Sequence, residues 1–515
     1  MKYQINNFKI SPKNNLEDEI KTKFKLNEFK YKILRKSIDA RDKENVYLVF
    51  NLMIECNKKL NGKNINKYIE PNINIEYIKY NKKDRPIIVG FGPAGMFASL
   101  YFARIGARPI IIERGSKIEI RKEKVNNFIN NKILDKNSNI QFGEGGAGTF
   151  SDGKLNTSIN NPLIKFILNE FYIHGAKEDI LYDAMPHIGT DYLEIIVKNI
   201  RLEIESLGGE FYFDHKFNNV NKLNDSDLEV LVLDLINDKV IKFNTSHLLL
   251  ALGHSAKDTI RYLVNDLNIK ASQKAFSMGV RIEHKRRDID YAQYGKFMDF
   301  LPPAYYKLSY RKERGVYTFC MCPGGFVMAS ESDENTIVVN GMSNNMRDNF
   351  NSNSALLVDV MPNDYDKGNV LDGVDFQEKY ERLAFSLSSD YKAPANLVKE
   401  FLEDRIAEKE RSIKTTYPHG LYFTDLSKCL PKFVIDYLKL GIIEFDKKIK
   451  GFNNPDSILI GIESRSSSPI RLDRNISFES SIKGIYPIGE GAGYAGGITS
   501  AALDGLKCAI SIAKE

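Results

Sequence analysis

The chain has 515 residues, of which 43% are hydrophobic and 27% charged, a balance typical of globular proteins with two or three domains. No apolar window reaches membrane-spanning length, and Met1–Asn7 lacks the apolar core of a signal peptide, so we expect a cytoplasmic protein with no membrane partner. Five cysteines, an odd number, exclude a disulfide framework. Without a second cysteine pair, Cys320 and Cys322 predict no metal site.

The net charge of +6 is concentrated at the N-terminus. Residues 1–84 contain 19 Lys and Arg against 11 Asp and Glu, whereas the rest of the chain contains 54 against 56. This segment is either a solvated lysine-rich surface or a surface for RNA or another acidic partner. Because no aromatic RNA-binding motif or zinc knuckle accompanies it, nucleic acid is not an expected partner.

Residues 1–83 alternate short apolar runs with one helical pattern, which predicts a small basic α+β appendage. The patterns predict a helix over 16–24 and strands over 3–10, 29–37, 46–55 and 73–80.

Arg85–Glu113 has the pattern of a dinucleotide-binding unit. An apolar run leads into Gly90, Gly92 and Gly95, a helical pattern follows, and a second apolar run ends at Glu113. The glycines permit a tight turn, a close approach of backbone to pyrophosphate, and close packing of helix on strand. The helix N-terminus attracts the phosphates. An acid at Glu113 accepts hydrogen bonds from ribose hydroxyls and repels a 2′-phosphate, so the unit favours FAD or NAD over NADP.

A second glycine-rich segment spans Gln141–Asn156. It holds five glycines within thirteen residues, which excludes a regular helix or strand. Thr149, Ser151 and Asp152 are interleaved with them. We expect this backbone to approach a flat or charged ligand rather than to form a plain mobile loop.

Two later segments repeat the strand–glycine–helix pattern. One apolar run leads into Gly253, and another leads through Gly489 into a glycine-rich turn and a C-terminal helix over 500–514. Such repetition fits one extended dinucleotide that lies across several units. Between them, residues 275–470 look like a separate α+β domain. Strands are predicted there over 276–283, 316–322, 325–330 and 336–341, and helices over 373–387 and 394–403.

Together, these motifs resemble FAD flavoproteins of the glutathione-reductase-like class and, more narrowly, the uncharacterised bacterial FAD-dependent dehydrogenases. The narrower resemblance lies in five segments: Asp39–Arg41, Phe142–Leu155, Phe276–His284, Cys320–Gly325 and Gly461–Pro469. It implies an α/β fold, with a Rossmann-like FAD-binding domain, an inserted α+β domain and the small N-terminal appendage. The expected boundaries are 1–83 for the appendage, 84–274 and 473–515 for the FAD-binding domain, and 275–472 for the inserted substrate or cap domain.

The cofactor implied is FAD. Many flavoproteins of the wider class place an aspartate against the ribityl chain where this chain has Glu490, and Gly493, Gly496 and Gly497 would face the ring edge. The residues assigned to FAD binding are Gly90, Gly92, Pro93, Ala94, Gly95, Glu113, Arg114, Gly145, Gly146, Gly148, Thr149, Gly253, Gly489, Glu490, Gly493, Gly496, Gly497 and Ile498.

The candidate catalytic residues are Cys322, His254 and Arg465. We expect the thiols of Cys320 and Cys322, separated by one residue, to lie on opposite faces of a strand, which favours structural cysteines over a redox pair. His254 is either a helix cap or an acid or base, with the cap favoured. Arg465 would bind an anionic substrate group or belong to a turn network.

Arg281 and Glu283 share one face of a predicted strand. They form either an ion pair at a domain interface or part of a pocket.

The function predicted is that of an FAD-dependent oxidoreductase, with hydride transfer at flavin N5 on a small-molecule substrate. No second nucleotide fingerprint is visible, so NAD(P)H would bind only transiently. Two alternatives stay open. One is a flavin-dependent RNA-modifying or nucleic-acid-associated protein that docks through the appendage, and the other is a non-catalytic flavin-binding sensor or scaffold.

Overall fold

The structure is a computed structural model that describes residues 1–70 and 75–515. No helix within these ranges is both long and apolar enough to cross a membrane. The N-terminal unit contains β1 (Lys2–Ile10), α1 (Leu16–Phe24), β2 (Lys30–Asp39), β3 (Tyr47–Glu55) and β4 (Ile65–Lys67). Its strands form an antiparallel sheet in the order β2-β3-β1-β4. Helix α1 begins where the Asn15 side chain accepts the backbone N–H of Glu17 at 2.8 Å, and it buries Ile20.

The prediction of a strand over 73–80 was wrong for the residues that the structure describes. Residues 73 and 74 lie outside the described residues, and residues 75–80 have no regular secondary structure. This segment packs on the next unit instead of joining the N-terminal sheet. The N–H of Tyr80 donates to the Ile105 carbonyl at 3.1 Å, and its ring meets Phe102 edge-on at 6.1 Å.

The next part of the chain alternates strands and helices. Its elements are β5 (Ile87–Val89), α2 (Pro93–Arg104), β6 (Ile110–Ile112), α3 (Ile118–Asn131), α4 (Leu163–Ile173), α5 (Thr190–Ser206), β7 (Glu210–Tyr212), β8 (His215–Lys222), β9 (Leu228–Asp234), β10 (Lys239–Thr245), β11 (Leu248–Leu250) and α6 (Lys257–Asn265). Strands β8, β9 and β10 form a separate antiparallel sheet.

The remaining chain is richer in strands and returns to the first sheet at its end. Its elements are β12 (Ala271–Gln273), β13 (Phe276–Lys285), α7 (Arg286–Tyr294), β14 (Ser309–Arg311), β15 (Gly315–Cys322), β16 (Phe326–Ala329), β17 (Val339–Met342), β18 (Asn351–Val360), α8 (Asp372–Ser388), β19 (Ala393–Leu397), α9 (Val398–Leu402), β20 (Leu421–Phe423), α10 (Lys432–Asp446), β21 (Ile458–Glu463), β22 (Ile470–Leu472), β23 (Ile485–Pro487) and α11 (Ile498–Lys514).

Two large sheets position the site. The first is parallel, in the order β23-β11-β5-β6-β7, so the carboxyl ends of its strands meet at one edge. Its central strands are fully buried, as expected of a parallel sheet covered on both faces. The second has seven strands in the order β14-β15-β18-β13-β21-β19-β20.

The helix predicted over 394–403 was wrong in its first half. Residues Ala393–Leu397 form the fully buried strand β19, which pairs with β21 and β20, and only Val398–Leu402 are helical. A short buried run has no amphipathic pattern of its own, so distant partners in the sheet decide its conformation.

Helices α2 and α11 cross at a glycine, and this contact joins the first helix after β5 to the C-terminal helix. A Cβ on Gly505 would overlap the backbone carbonyl of Ala94. Gly505 is buried within α11, among the residues that pack on α2. The helices therefore approach to backbone distance at this point.

We expect Gly505→Ala to destabilise the protein by about 1–3 kcal/mol, because the new methyl group meets rigid backbone. At an unhindered helical site, the same change would stabilise by up to about 1 kcal/mol. Urea unfolding of Gly505→Ala and of Ser511→Ala on the same helix measures the difference. Equal or higher stability of Gly505→Ala would contradict the close approach of α2 and α11.

Candidate functional site

A cavity of about 410 Å³ lies between the carboxyl edge of the parallel sheet and the seven-stranded sheet. One wall is built from the turns after β5, β6 and β11, the glycine-rich segment 141–156 and the start of α11. The opposite wall comes from β15, β17 and the end of β21, with Tyr305 and Lys307. Segments that are distant in the chain thus share one site.

Most of the residues assigned to cofactor binding line this cavity. They are Gly90, Gly92, Pro93, Ala94, Glu113, Arg114, Gly146, Gly148, Gly253, Glu490, Gly496, Gly497 and Ile498. The three candidate catalytic residues, Cys322, His254 and Arg465, line it as well.

Five assigned residues do not line the cavity and have packing roles instead. A Cβ on Gly95 would overlap the Gly90 carbonyl, so Gly95 allows α2 to lie against β5. Gly145 packs on Thr149 and Val197, and Thr149 is buried behind the wall. Of the other two, Gly489 packs against the side chain of Ala94, and Gly493 packs against Ile470 and Arg471.

The two glycine-rich turns touch each other at the cavity. Gly90 has a φ of +97°, and a Cβ there would lie 2.6 Å from the Ala251 carbonyl oxygen. Gly146 has a φ of +65°, and its Cβ would lie 3.0 Å from the Cα of Gly92. Because side chains are missing on both turns, backbone lines this part of the cavity, next to the N-terminus of α2.

Glu113 lies at the end of β6 with its carboxylate buried in the wall. It accepts the backbone N–H groups of Phe91 (2.8 Å), Gly115 (2.9 Å) and Gly143 (3.0 Å). The carboxylate thereby ties the first glycine turn to the second glycine-rich segment. Because Oε1 accepts two of these bonds and Oε2 accepts one, Oε2 can still accept a further hydrogen bond.

Buried charges hold the glycine-rich segment in place. The Arg121 guanidinium is fully buried and donates to the carbonyls of Asn139, Ile140 and Glu144 at 2.7–2.9 Å. Burial lowers the pKa of Arg121 to about 10. The Glu144 carboxylate accepts from Arg201 at 2.7 Å, and burial raises the pKa of Glu144. Arg121 thus replaces the regular hydrogen bonding that this segment lacks.

His254 does not cap a helix, so the favoured interpretation was wrong. Helix α6 begins three residues later, and its N-cap is Ala256. Instead, the Nδ1 of His254 lies 2.6 Å from Glu490 Oε2, which also accepts the His254 backbone N–H. Burial alone would raise the pKa of Glu490, but His254 lowers it. The His254 Nε2 is buried and has no hydrogen-bond partner among the described residues.

Arg465 belongs to a buried network beside the cavity. Its guanidinium donates to both Glu381 oxygens at 2.9 and 2.8 Å and to Ser332 at 2.6 Å. Glu381 also accepts from Lys257 at 2.8 Å. Burial would raise the pKa of Glu381, but Arg465 and Lys257 hold it well below its usual range. Arg465 therefore already has a carboxylate partner, which favours the network over the binding of a substrate anion.

Arg281 and Glu283 do not pair with each other. The fully buried Arg281 binds both oxygens of Glu463 at 2.7 and 2.9 Å. Glu283 accepts from Thr415 at 2.7 Å and from the backbone and side chain of Thr416. The residues share strand β13, but other strands and loops supply their partners.

The expectation that Cys320 and Cys322 lie on opposite faces was wrong. Cys320 adopts a left-handed conformation, with a φ of +41°, and the pairing of β15 with β18 is irregular between Phe319 and Cys322. Positions i and i+2 of a strand share a face, so the one-residue spacing does not separate the thiols, and both cysteines line the cavity. Burial raises the pKa of Cys320, and that of Cys322 to about 11. Both thiols are therefore protonated at neutral pH.

Several cavity residues were not selected from the sequence. They are Gln141, Lys154, Tyr305, Lys307, Asn340 and Glu463. Gln141 and Lys154 belong to the glycine-rich segment, and this location could have identified them. The other four have no local signal, because only the folding of the second sheet brings them to the cavity. No cluster of His, Cys, Asp and Glu within 1–70 and 75–515 could hold a metal ion.

Glu331 borders the Arg465 network and has an unusual environment. Its side chain is buried, with one oxygen accepting the Val338 N–H at 3.1 Å and the other lacking a partner among the described residues. Burial raises the pKa of Glu331 to about 8. Folded protein therefore keeps this proton at pH values where the unfolded chain releases it.

We expect stability to fall as the pH rises from about 5 to 8, by up to about 1.4 kcal/mol per pH unit from this group. Glu331→Gln removes the titrating proton and should flatten this part of the profile. Urea unfolding of both proteins across the range measures the difference between their slopes. Parallel profiles would show that Glu331 is ionised in the folded state.

Comparisons with known sequences match part of the chain and the whole of it. Residues 275–466 match the family model described as "FAD-dependent protein, C-terminal domain-like". An uncharacterized protein of Clostridium beijerinckii is 44% identical over 537 residues, which cover 100% of this chain and 99% of the relative.

Solved structures give weaker matches. CtdE in complex with FAD is 10% identical, covers 84% of both chains and has a TM-score of 0.32. A geranylgeranyl bacteriochlorophyll reductase-like protein from Thermoplasma acidophilum is 12% identical, covers 84% of this chain and 78% of its own, and has a TM-score of 0.35. Such low scores say nothing about chemistry. The full-length relative shows that the chain belongs to the same family as the Clostridium beijerinckii protein, and the family model over residues 275–466 supports FAD as the cofactor.

Proposed function

We propose that the protein is an FAD-dependent oxidoreductase that binds FAD in the cavity and transfers hydride at flavin N5 to or from a small molecule. The observation that carries this proposal is the contact between the turns of Gly92 and Gly146 beside the α2 N-terminus. A cradle of bare backbone at a helix N-terminus suits a pyrophosphate, because N–H groups and the helix dipole face the charge.

The adenosine half would lie at the ends of β5 and β6. Glu113 retains acceptor capacity for ribose hydroxyls, although its carboxylate also orders the surrounding backbone. Arg114 places its guanidinium 4.6 Å from the Phe142 ring centre and donates to Asp258 at 2.7 Å. Arg114 and Phe142 would form a flat wall against the adenine.

The flavin half would lie towards His254 and the start of α11. A Cβ on Gly496 would meet nothing within 4 Å, so this turn has room for a ligand. Glu490 was expected to contact the ribityl chain, but its oxygens already bind His254 and the Ser468 N–H. We therefore assign Glu490 to the orientation of His254.

His254 is the best candidate for an acid or base among the three residues. The ionised Glu490 can only accept, so the Nδ1 of His254 donates to it, and the Nε2 is the ring nitrogen without a partner among the described residues. An unpartnered buried Nε2 in the cavity wall suits a hydrogen bond to bound cofactor or substrate. When bound, FAD supplies the two-electron chemistry, and the protein supplies position and protons.

The FAD assignment predicts that purified protein carries flavin or takes it up. Gly92→Val should reduce FAD affinity by at least about 100-fold, because the added methyl groups occupy the cradle. Gly92 has an ordinary φ of −76°, so its replacement adds no backbone strain. The measurement is flavin absorbance after incubation with FAD and gel filtration.

Urea unfolding of the FAD-free proteins is the control, and the midpoint of Gly92→Val should match that of the wild type. A wild-type protein that takes up no flavin would contradict the assignment. If Gly92→Val binds FAD as tightly as the wild type does, the pyrophosphate does not lie at this turn.

The oxidoreductase proposal predicts that a nicotinamide reduces the bound flavin in a transient encounter. Anaerobic mixing of the FAD-loaded protein with NADH, and separately with NADPH, should bleach the flavin spectrum with at least one donor. Photoreduced protein is the control for complete bleaching. If neither donor bleaches the flavin, nicotinamide-driven reduction is excluded.

A further inference from the structure

Two lysines lie at the end of the cavity that Tyr305 and β15 line. Lys154 follows the glycine-rich turn, and Lys307 lies on the opposite wall. The Lys154 ammonium donates to the Met321 carbonyl and lies 5.6 Å from the centre of the Tyr305 ring. Only 18% of its side chain is exposed, so an ammonium group is held at a nearly dry surface.

The carboxylates near Lys154 do not neutralise it. The Asp152 carboxylate lies 3.6 Å from the Lys154 ammonium. However, it also accepts hydrogen bonds from the Nε and Nη2 of Arg347, at 3.0 and 2.5 Å. One carboxylate therefore serves two cations, which leaves one surplus positive charge. Arg347 does not line the cavity, so this charge is presented through Lys154. Burial would lower the pKa of Lys154, but Asp152 raises it, and the group is charged at neutral pH.

The remaining charges on this wall are balanced or positive. Glu463 lines the cavity but is bound by both nitrogens of its partner Arg281. Lys307 is exposed and forms no salt bridge with any carboxylate in residues 1–70 and 75–515. This end of the cavity therefore carries two positive charges that no carboxylate offsets. Opposite charge on a ligand would be favoured here.

The surfaces between the two lysines are largely apolar. Tyr305, Phe319 and Cys320 line the same end. Aromatic walls with a few charged groups are typical of sites that bind an apolar body and orient it through one polar group.

We infer that this end is the substrate site and that the substrate is an organic acid, with a carboxylate or phosphate bound by Lys154 and Lys307 and an aromatic or aliphatic body packed on Tyr305 and Phe319. This inference rests on the proposed function only in taking the lysine end as the substrate side of the cofactor. The ammonium of Lys154 is the main anchor, because it is nearly buried and positioned by Met321 and Asp152. Lys307 contributes less, because water screens its charge.

The test uses benzoate and phenyl phosphate as acids and benzamide as the neutral counterpart of benzoate. Each is titrated into FAD-loaded protein, followed by the flavin spectrum and by calorimetry. We expect at least one acid to bind at least about 10-fold more tightly than benzamide, because a charged hydrogen bond at a nearly buried site contributes about that factor to the affinity. The stronger acid identifies the anionic group.

Variants then locate the site. Lys154→Met should weaken acid binding about 10-fold or more and leave benzamide unchanged, and Lys307→Met should weaken it about 2- to 5-fold. Lys154→Arg keeps the charge and should retain most of the binding. Lys312→Met, at an exposed position between β14 and β15, is the matched control and should bind like the wild type.

Three results would overturn the inference: equal binding of both acids and benzamide, equal effects of Lys154→Met and Lys312→Met, or loss of FAD rather than of acid binding in Lys154→Met. These outcomes are distinct from a failure of the proposed function. Flavin content is measured first, and if no FAD is bound, calorimetry with the flavin-free protein still reports acid binding at Lys154.

Discussion

The close approach of backbone to backbone at the glycine turns is the constraint on which the structure depends. Gly92 meets Gly146, and Gly90 meets Ala251. At the crossing of two helices, Gly505 meets Ala94. A Cβ on Gly146, Gly90 or Gly505 would separate the first glycine turn from the glycine-rich segment, the first glycine turn from the β11 turn, or α2 from the last helix. The cavity has this shape because these distant segments of the chain lie within van der Waals distance of one another.

Buried charge is the second determinant of the site. Arg121 replaces missing backbone hydrogen bonds in the glycine-rich segment. The pair of Arg281 with Glu463 joins β13 to the end of β21, and the pair of Arg465 with Glu381 joins the loop after β21 to α8. Each of these pairs satisfies groups that would be costly to leave alone in a low-dielectric interior. Lys154 differs from these arginines because Asp152, the carboxylate with which it forms a salt bridge, is shared with Arg347. The availability of a carboxylate partner thus distinguishes the structural arginines from a lysine that can bind a ligand.

The candidate site was predictable where its chemistry is local in sequence. Gly90, Gly92, Glu113 and Gly146 are recognisable from a glycine pattern and a terminal acid, and all four line the cavity. Prediction failed where long-range pairing decides the outcome. Strand β19 was taken for a helix because its sheet partners lie far along the chain. His254 was read as a cap because its partner, Glu490, comes from the C-terminal unit.

The sequence by itself determined the cofactor class and the first glycine turn, because conformational freedom at glycine and charge at a strand end are properties of single residues. Only the tertiary structure decided which charged groups are neutralised. Whether an arginine or lysine is available to a ligand depends on which carboxylate the folded chain brings within about 3 Å, and those partners are often more than a hundred residues away. The same dependence identifies the lysine end, rather than Arg465, as the site of an anionic substrate.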